Sequence, residues 1–290
     1  VPVDEQWEHL RALTLEGLVA HPEADLVVWP ETMYPYGYLD GAPPRRFGFP
    51  RLARDFGRAA IYGINTFSSR ESRRGHNSAV LVDGRGEVRG TYRKQRLVPM
   101  GEDFLPRHVF AQETCDRWFE WLAANIGYPR NCDLERGEGY VTLDAGEGLR
   151  CAVLICFEGL YPDMARAAAR EGRPDLLLHL VNNGWFGPFE PRQAVASWVF
   201  RAVETRMPFL SCANAGITCA IGPDGRILGR VDRVMEDGFL LVRVPPRGTR
   251  PGVGPLALPL ALAFAALGFL ARDGLRKGRP GGAGGPPGPS

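Results

Sequence analysis

The stretch Val153-Leu-Ile-Cys-Phe-Glu-Gly-Leu-Tyr-Pro162 decides how the chain reads. Apolar residues from Ala152 to Ile155 run straight into Cys156, and Glu158 follows two positions later. A short apolar run bounded by turn residues is the pattern of a buried strand. Beyond Pro162 a helix-like segment runs from Asp163 to Arg170. The pattern predicts a strand that delivers a cysteine to a sharp strand-to-helix turn. Such a turn sets a side chain at a sheet edge, close to free backbone N–H groups. A free cysteine also suits a core as a small hydrophobe. Taken alone, Cys156 supports either reading.

Outward from this turn, similar strand ends recur. Asp25-Leu-Val-Val-Trp29 reads as a buried strand that ends at Pro30-Glu31-Thr32. The C-terminal end of a buried strand is where α/β sheets place their chemistry, although Glu31 also suits a helix start or a solvated loop. Strands are expected at 59–65, 76–82 and 88–92, the last delivering Lys94. Three cations, Arg93, Lys94 and Arg96, fall within four residues, and Glu102 follows. Arg93 and Arg96 suit a basic surface loop. Lys94 beside a returning carboxylate suits an ammonium held in a cleft. Pro174 to Val181 is another apolar strand whose one polar member, His179, reads as a satisfied core histidine. Further strands are expected at 140–143, 208–214 and 217–221, with Phe239 to Val244 closing the sheet. Helices are expected at 5–20, 51–58 and 191–206, and helical spacing recurs over 116–126. The aromatic, Pro- and Gly-rich stretch 34–50 reads as a loop.

Composition narrows the classes. A net charge of +2 gives no argument for nucleic-acid binding. Six cysteines in 290 residues, none in a CxxC pair, are not a disulfide framework, and with five histidines a zinc site is not expected. Cys115 and Cys132 lie in a polar, irregular segment where a disulfide would need an oxidising compartment. No cofactor motif is present. The chain opens on Val1 with no signal-peptide pattern, and is expected to be a fragment or a processed chain. From Pro251 to Ala271 run 21 uncharged residues, long enough to cross a bilayer. A buried core helix is the alternative, and Pro255 and Pro259 weaken the first turns. Residues 272–290 are basic, then Gly/Pro-rich, and are expected to be disordered. Arg272, Arg276, Lys277 and Arg279 beyond the span, against Arg247 and Arg250 before it, favour a cytoplasmic tail.

Glu31, Lys94 and Cys156 are 63 and 62 residues apart, so only a fold can bring them together. Together they suit acyl transfer. A thiolate attacks a carbonyl, a carboxylate takes the thiol proton, and an ammonium and a backbone N–H hold the oxyanion.

The motifs Val-Val-Trp-Pro-Glu31-Thr, Tyr-Arg-Lys94-Gln-Arg-Leu-Val-Pro-Met-Gly-Glu102, Leu-Ile-Cys156-Phe-Glu158, Asn-Asn-Gly-Trp-Phe-Gly187 and Ile-Gly-Pro-Asp-Gly225 carry a resemblance. The chain resembles the nitrilase superfamily and, within it, the apolipoprotein N-acyltransferase family. The likeness covers nearly all of residues 1–248. It implies a nitrilase-like α-β-β-α sandwich over 1–248, followed by a transmembrane helix at 251–271 and the tail at 272–290. It implies Glu31 as general base, Lys94 as oxyanion stabiliser and Cys156 as nucleophile. Glu102 would orient Lys94, and Glu158 would support the thiol and its loop. The implied reaction takes a fatty acyl chain from a phospholipid through a Cys156 thioester to the α-amino group of an apolipoprotein's lipidated N-terminal cysteine. The implied place is the bacterial inner membrane, with the catalytic domain on the periplasmic side. The alternatives are an amidohydrolase with water as acceptor and a non-catalytic membrane-anchored binding module. The family carries several membrane spans before this domain, and none stand here; Phe157 stands where it commonly has tyrosine.

Overall fold

The fold is that of a computed structural model, which describes residues 3–34, 36–42, 48–72, 74–127, 133–146, 148–185, 190–231 and 237–244. All lie in the first of two units, Val1–Gly252 and Val253–Ser290, into which the chain divides. The expected span at 251–271, the tail at 272–290 and Cys132 lie outside the described residues. Among those described, no helix is long and apolar enough to cross a membrane.

Two sheets stack face to face. The first contains β1 (Leu26–Val28), β3 (Ala59–Phe67), β4 (His76–Val82) and β5 (Val88–Arg93), in the order β1-β3-β4-β5. A two-residue strand, β2 (Tyr38–Leu39), also pairs with β3. The second sheet runs β11-β10-β9-β8-β7-β6. Its strands are β6 (Thr142–Asp144), β7 (Arg150–Ile155), β8 (Leu176–Asn182), β9 (Phe209–Asn214), β10 (Thr218–Ile221) and β11 (Ile227–Val231). Alternation along the strands sorts side chains between two faces. Ile61, Ala79, Leu81, Val153, Ile155, Leu178 and Leu180 meet between the sheets. Their neighbours Ala60, Tyr62, Val80 and Val82 face outward and pack with α2 (Phe49–Phe56), against which α1 (Val3–Ala20) lays Trp7, Leu10, Leu15 and Leu18. On the other side Leu154, Leu177 and Phe209 pack with α4 (Pro162–Ala168) and α5 (Glu190–Thr205). The result is the expected α-β-β-α layering.

β1 runs parallel to β3, and β7, β8 and β9 run parallel to one another. Parallel neighbours need crossovers; α2, α4 and α5 provide them. β5 is antiparallel to β4, which is antiparallel to β3, so β5 points the same way as β1. The residues after β1 and β5 therefore leave one edge of the first sheet. The residues after β7 and β8 leave one edge of the second.

Three expectations change. Phe239 to Val244 forms no strand. Its apolar side chains are satisfied by packing instead: Phe239 meets His21 edge-on at 5.8 Å, Leu240 lies over Gly229 of β11, and Val244 joins the core between the sheets. The loop at 34–50 contains β2, and its aromatics pack it down. Tyr34 and Phe49 are buried, with ring centroids 5.3 Å apart. The helix expected at 116–126 begins earlier, as α3 (Gln112–Asn125).

Candidate active site

Glu31 follows β1 through Trp29, whose N–H reaches Ile61 O at 2.9 Å. The Pro30–Glu31 peptide lies flat on β3 because Gly63 is beneath it. A Cβ there would stand 2.1 Å from Pro30 O and 2.6 Å from Glu31 Cα. Thr32 then turns the chain at φ +51°, in the left-handed region. Buried Glu31 accepts a 2.7 Å bond on Oε1 from Asn77 Nδ2, and another of 2.7 Å on Oε2 from the Asn182 N–H at the end of β8. The second bond joins the two sheets.

Lys94 continues β5, with its N–H on Asn77 O at 2.8 Å. Its side chain is fully buried, with Nζ 2.7 Å from Glu102 Oε1 and 3.4 Å from Glu31 Oε1. Glu102 is fixed in turn by Val98 N–H at 3.0 Å and Asn77 Nδ2 at 3.2 Å. Asn77 thus spans both carboxylates that flank the ammonium.

Cys156 opens a 3₁₀ turn, Cys156–Leu160, that joins β7 to α4. Its φ of +52° is a left-handed conformation that costs a non-glycine residue about 1–2 kcal/mol. The neighbouring contacts hold it there. Glu158, wholly buried, accepts from Ile155 N–H at 2.8 Å and Tyr92 O–H at 2.9 Å on one oxygen. On the other it accepts from Gln95 N–H at 2.7 Å and Arg96 N–H at 3.1 Å. The nucleophile-like turn and the loop that follows Lys94 are thereby tied to one carboxylate. Cys156 is half-buried, and its thiol lies within the electrostatic reach of Glu31 and Lys94.

The electrostatics are those of a crowded, dry site. Burial works against the Lys94 charge, but Glu31, Cys156 and Glu102 outweigh it and lift the ammonium above its ordinary range. Burial raises the Cys156 thiol well above its ordinary range; Glu31 adds to this and Lys94 opposes it. Burial likewise raises Glu158, against the pull of its three backbone donors and Lys94. Among the described residues no His/Cys/Asp/Glu group is arranged to hold a metal.

The structure brings together Glu31, Lys94, Glu102 and Cys156, with Glu158 directly behind the turn. Asn77 and the Asn182 N–H belong to the same cluster; Asn77 lies between His76 and Ser78 at the polar start of β4, and Asn182 opens the Asn-Asn-Gly-Trp-Phe-Gly187 motif, but neither spacing points to Glu31. Arg93 pairs with Asp40, and Arg96 lies 4.1 Å from the centroid of the Tyr161 ring. A cleft of about 680 Å³ borders the turn, lined in part by Gln95, Arg96, Tyr140, Phe157 and Tyr161. A larger cavity, about 980 Å³, runs along α1 and residues 237–244, and neither it nor the cleft is lined by Glu31, Lys94, Glu102 or Cys156.

The layering and the strand-end cluster define a class of thiol-bearing α/β proteins. Residues 3–250 match the family described as Carbon-nitrogen hydrolase, and the chain belongs to it. Its fold is nitrilase-like. Solved structures agree: a carbon-nitrogen hydrolase from Helicobacter pylori superimposes with a TM-score of 0.58 at 18% identity, covering 79% of this chain and 80% of that one. An amidase from Nesterenkonia sp. gives 0.56 at 18% identity, covering 80% and 81%. At that identity the likeness speaks for the fold alone.

Within the family, the sequence is similar to proteins named apolipoprotein N-acyltransferase. The one from Geobacter metallireducens is 36% identical over 226 residues, 77% of this chain and 40% of that protein. The one from Azotobacter vinelandii is 35% identical over 276 residues, 93% of this chain and 50% of that protein. The chain therefore spans half or less of the length of these relatives.

Proposed function

We propose that the chain is the catalytic part of an apolipoprotein N-acyltransferase, with Cys156 as nucleophile, Glu31 as general base and Lys94 as oxyanion stabiliser. The observation that carries this is the burial of one ammonium and its two carboxylates against a thiol held at positive φ. Such an arrangement is costly to fold and unhelpful to stability. It is what acyl transfer requires. In the first half-reaction, Cys156 Sγ attacks the ester carbonyl of a phospholipid as its proton passes to Glu31. The oxyanion is held by Lys94 Nζ and a backbone N–H after the cysteine. The tetrahedral intermediate collapses, the glycerol oxygen takes the proton from Glu31, and lysophospholipid leaves. A thioester remains on Cys156. In the second half, the α-amino group of a lipidated N-terminal cysteine attacks the thioester and yields its proton to Glu31. The amide forms and the sulfur departs, recovering a proton. Glu102 orients Lys94, and Glu158 holds the turn. The cleft beside Phe157 and Tyr161 borders the turn that carries the thiol.

The catalytic domain of this reading is 1–248, with a membrane span at 251–271, a cytoplasmic tail at 272–290 and the catalytic face on the periplasmic side of the inner membrane. It rests on the uncharged run from Pro251 to Ala271 and the basic residues beyond it.

The test is mass spectrometry of the protein after incubation with phospholipid vesicles. An acyl mass is expected on the Cys156 peptide, absent from Cys156→Ala, and lost faster to a lipopeptide amine than to water. An adduct that survives Cys156→Ala, or that sits on Cys151, refutes the assignment. Loss to water at the same rate as to the amine makes the protein a hydrolase.

A further inference from the structure

His179 takes no part in the proposed proton transfers, yet it is fully buried at the base of the nucleophile turn. On β8 its neighbours Leu178 and Leu180 face the space between the sheets, so the imidazole points the other way. There it lies among rings, with centroids 4.9 Å from Trp198 and 5.5 Å from Phe209. One ring nitrogen, Nε2, is 2.8 Å from the Cys156 carbonyl oxygen. A carbonyl only accepts, so Nε2 carries the hydrogen. The other nitrogen, Nδ1, is 3.0 Å from Ser211 Oγ. Burial keeps the ring neutral, so Nδ1 accepts from that hydroxyl. Ser211 is His179's partner in the β8–β9 register, so the sheet itself sets this contact. Gly159 completes the seat: a Cβ there would stand 2.7 Å from Nε2, so the 3₁₀ turn rests directly on the imidazole.

The Cys156–Phe157 peptide is planar and trans, so its C=O and N–H point in opposite directions. Pulling the carbonyl inward turns the Phe157 N–H outward, away from the core. We infer that His179 is a positioning residue: its Nε2–H fixes the Cys156 carbonyl and thereby aims the Phe157 N–H as an oxyanion donor and keeps Cys156 left-handed. Ser211 selects the tautomer that does this. Any buried imidazole needs a partner for its N–H; what sets this one apart is that the partner is the carbonyl of the nucleophile itself. The inference rests on the acyl-transfer reading of Cys156.

Two substitutions of similar polarity separate the roles. The amide nitrogen of glutamine reaches the place of Nε2, whereas that of asparagine reaches the place of Nδ1. The full chain is mixed with 4-nitrophenyl butyrate, and the first turnover is followed by nitrophenolate release and by the mass of the Cys156 adduct. Alkylation by iodoacetamide, which forms no oxyanion, and the thermal midpoint are measured on the same samples. His179→Asn is expected to acylate about a hundredfold more slowly per folded molecule, with alkylation much less affected. His179→Gln is expected to restore most of the rate. Equal losses in the two variants that track the folded fraction overturn the inference, as does a His179→Asn protein that acylates at the wild-type rate. Ser211→Ala leaves the ring in place and covers the case in which neither variant folds. It is expected to slow acylation more than alkylation, and equal effects on both overturn the inference. A wild-type chain that forms no Cys156 adduct refutes the acyl-transfer reading itself, and this inference with it.

Discussion

Replacing Lys94 by methionine keeps the apolar stem and removes the ammonium between Glu31 and Glu102. The contacts are 2.7 Å to Glu102 and 3.4 Å to Glu31. At an effective dielectric of about 20, these distances correspond to gross attractions of about 6 and 5 kcal/mol. Most of that offsets the cost of drying three charges, so the intact cluster adds little net stability. Breaking it is another matter, because two buried carboxylates are left without their cation. Lys94→Met is therefore expected to lose about 3–5 kcal/mol at pH 8. Urea unfolding of both proteins at pH 8 reads this directly. The variant's acylation rate at Cys156 should fall about 10²–10³-fold. Adding Glu102→Gln to Lys94→Met removes one stranded charge and should recover part of the stability but none of the rate. A variant as stable as wild type at pH 8, or one that acylates at the wild-type rate, would refute the reasoning.

Gly63→Ala places a methyl into the Pro30–Glu31 peptide, so acylation should be abolished or the fold lost; an active variant would show that Glu31 need not sit where it does. Glu158→Gln keeps an acceptor for Gln95 and Arg96 but turns its amide toward Ile155 N–H. One orphaned buried donor costs about 1–3 kcal/mol, measurable by urea unfolding, and the displaced turn should slow Cys156 acylation. His179 supplies an acid limb. Burial lowers its pKa to about 4 from 6.5, so its contribution is whole above pH 6.5 and is lost as pH falls toward 4, about 3 kcal/mol in all. The difference between wild type and His179→Gln in urea unfolding at pH 7, 6 and 5 isolates it, and a constant difference contradicts the assignment.

What was legible in the sequence was local. Most buried strands announce themselves as apolar runs, and Glu31 and Cys156 stand just past the end of one, whereas Lys94 follows the largely polar Val-Arg-Gly-Thr-Tyr-Arg of β5. The other half of the cluster depends on register between distant strands. The Asn182 N–H reaches Glu31 across 151 positions, and Ser211 finds His179 across 32. No run of residues encodes those pairings, because a backbone N–H carries no side-chain signature and a serine in a strand looks like any other. Phe239 to Val244 shows the opposite failure. Its apolar pattern suits a strand, but packing against α1, β11 and the core satisfies the same side chains without a ladder. Pattern reports what must be buried, and leaves open what buries it.

A raised thiol is at odds with a nucleophile until charges are counted. At rest the cluster holds Lys94 as a cation, Glu31 and Glu102 as anions and Cys156 neutral. Losing the thiol proton to water would add a second net negative charge to a buried site, which is why burial and Glu31 hold the thiol up. In the proposed reaction the proton goes to Glu31 instead. The carboxylate becomes neutral as the sulfur becomes anionic, and the net charge of the cluster does not change. The thiolate then faces Lys94 and a substrate carbonyl, with the carboxylate that opposed it discharged. A rate limited by ionisation to water would climb about tenfold per pH unit through the neutral range. Transfer within the cluster predicts an acylation rate that is flat there. The shape of that profile, taken in single turnovers, tells the two routes apart without any variant at all.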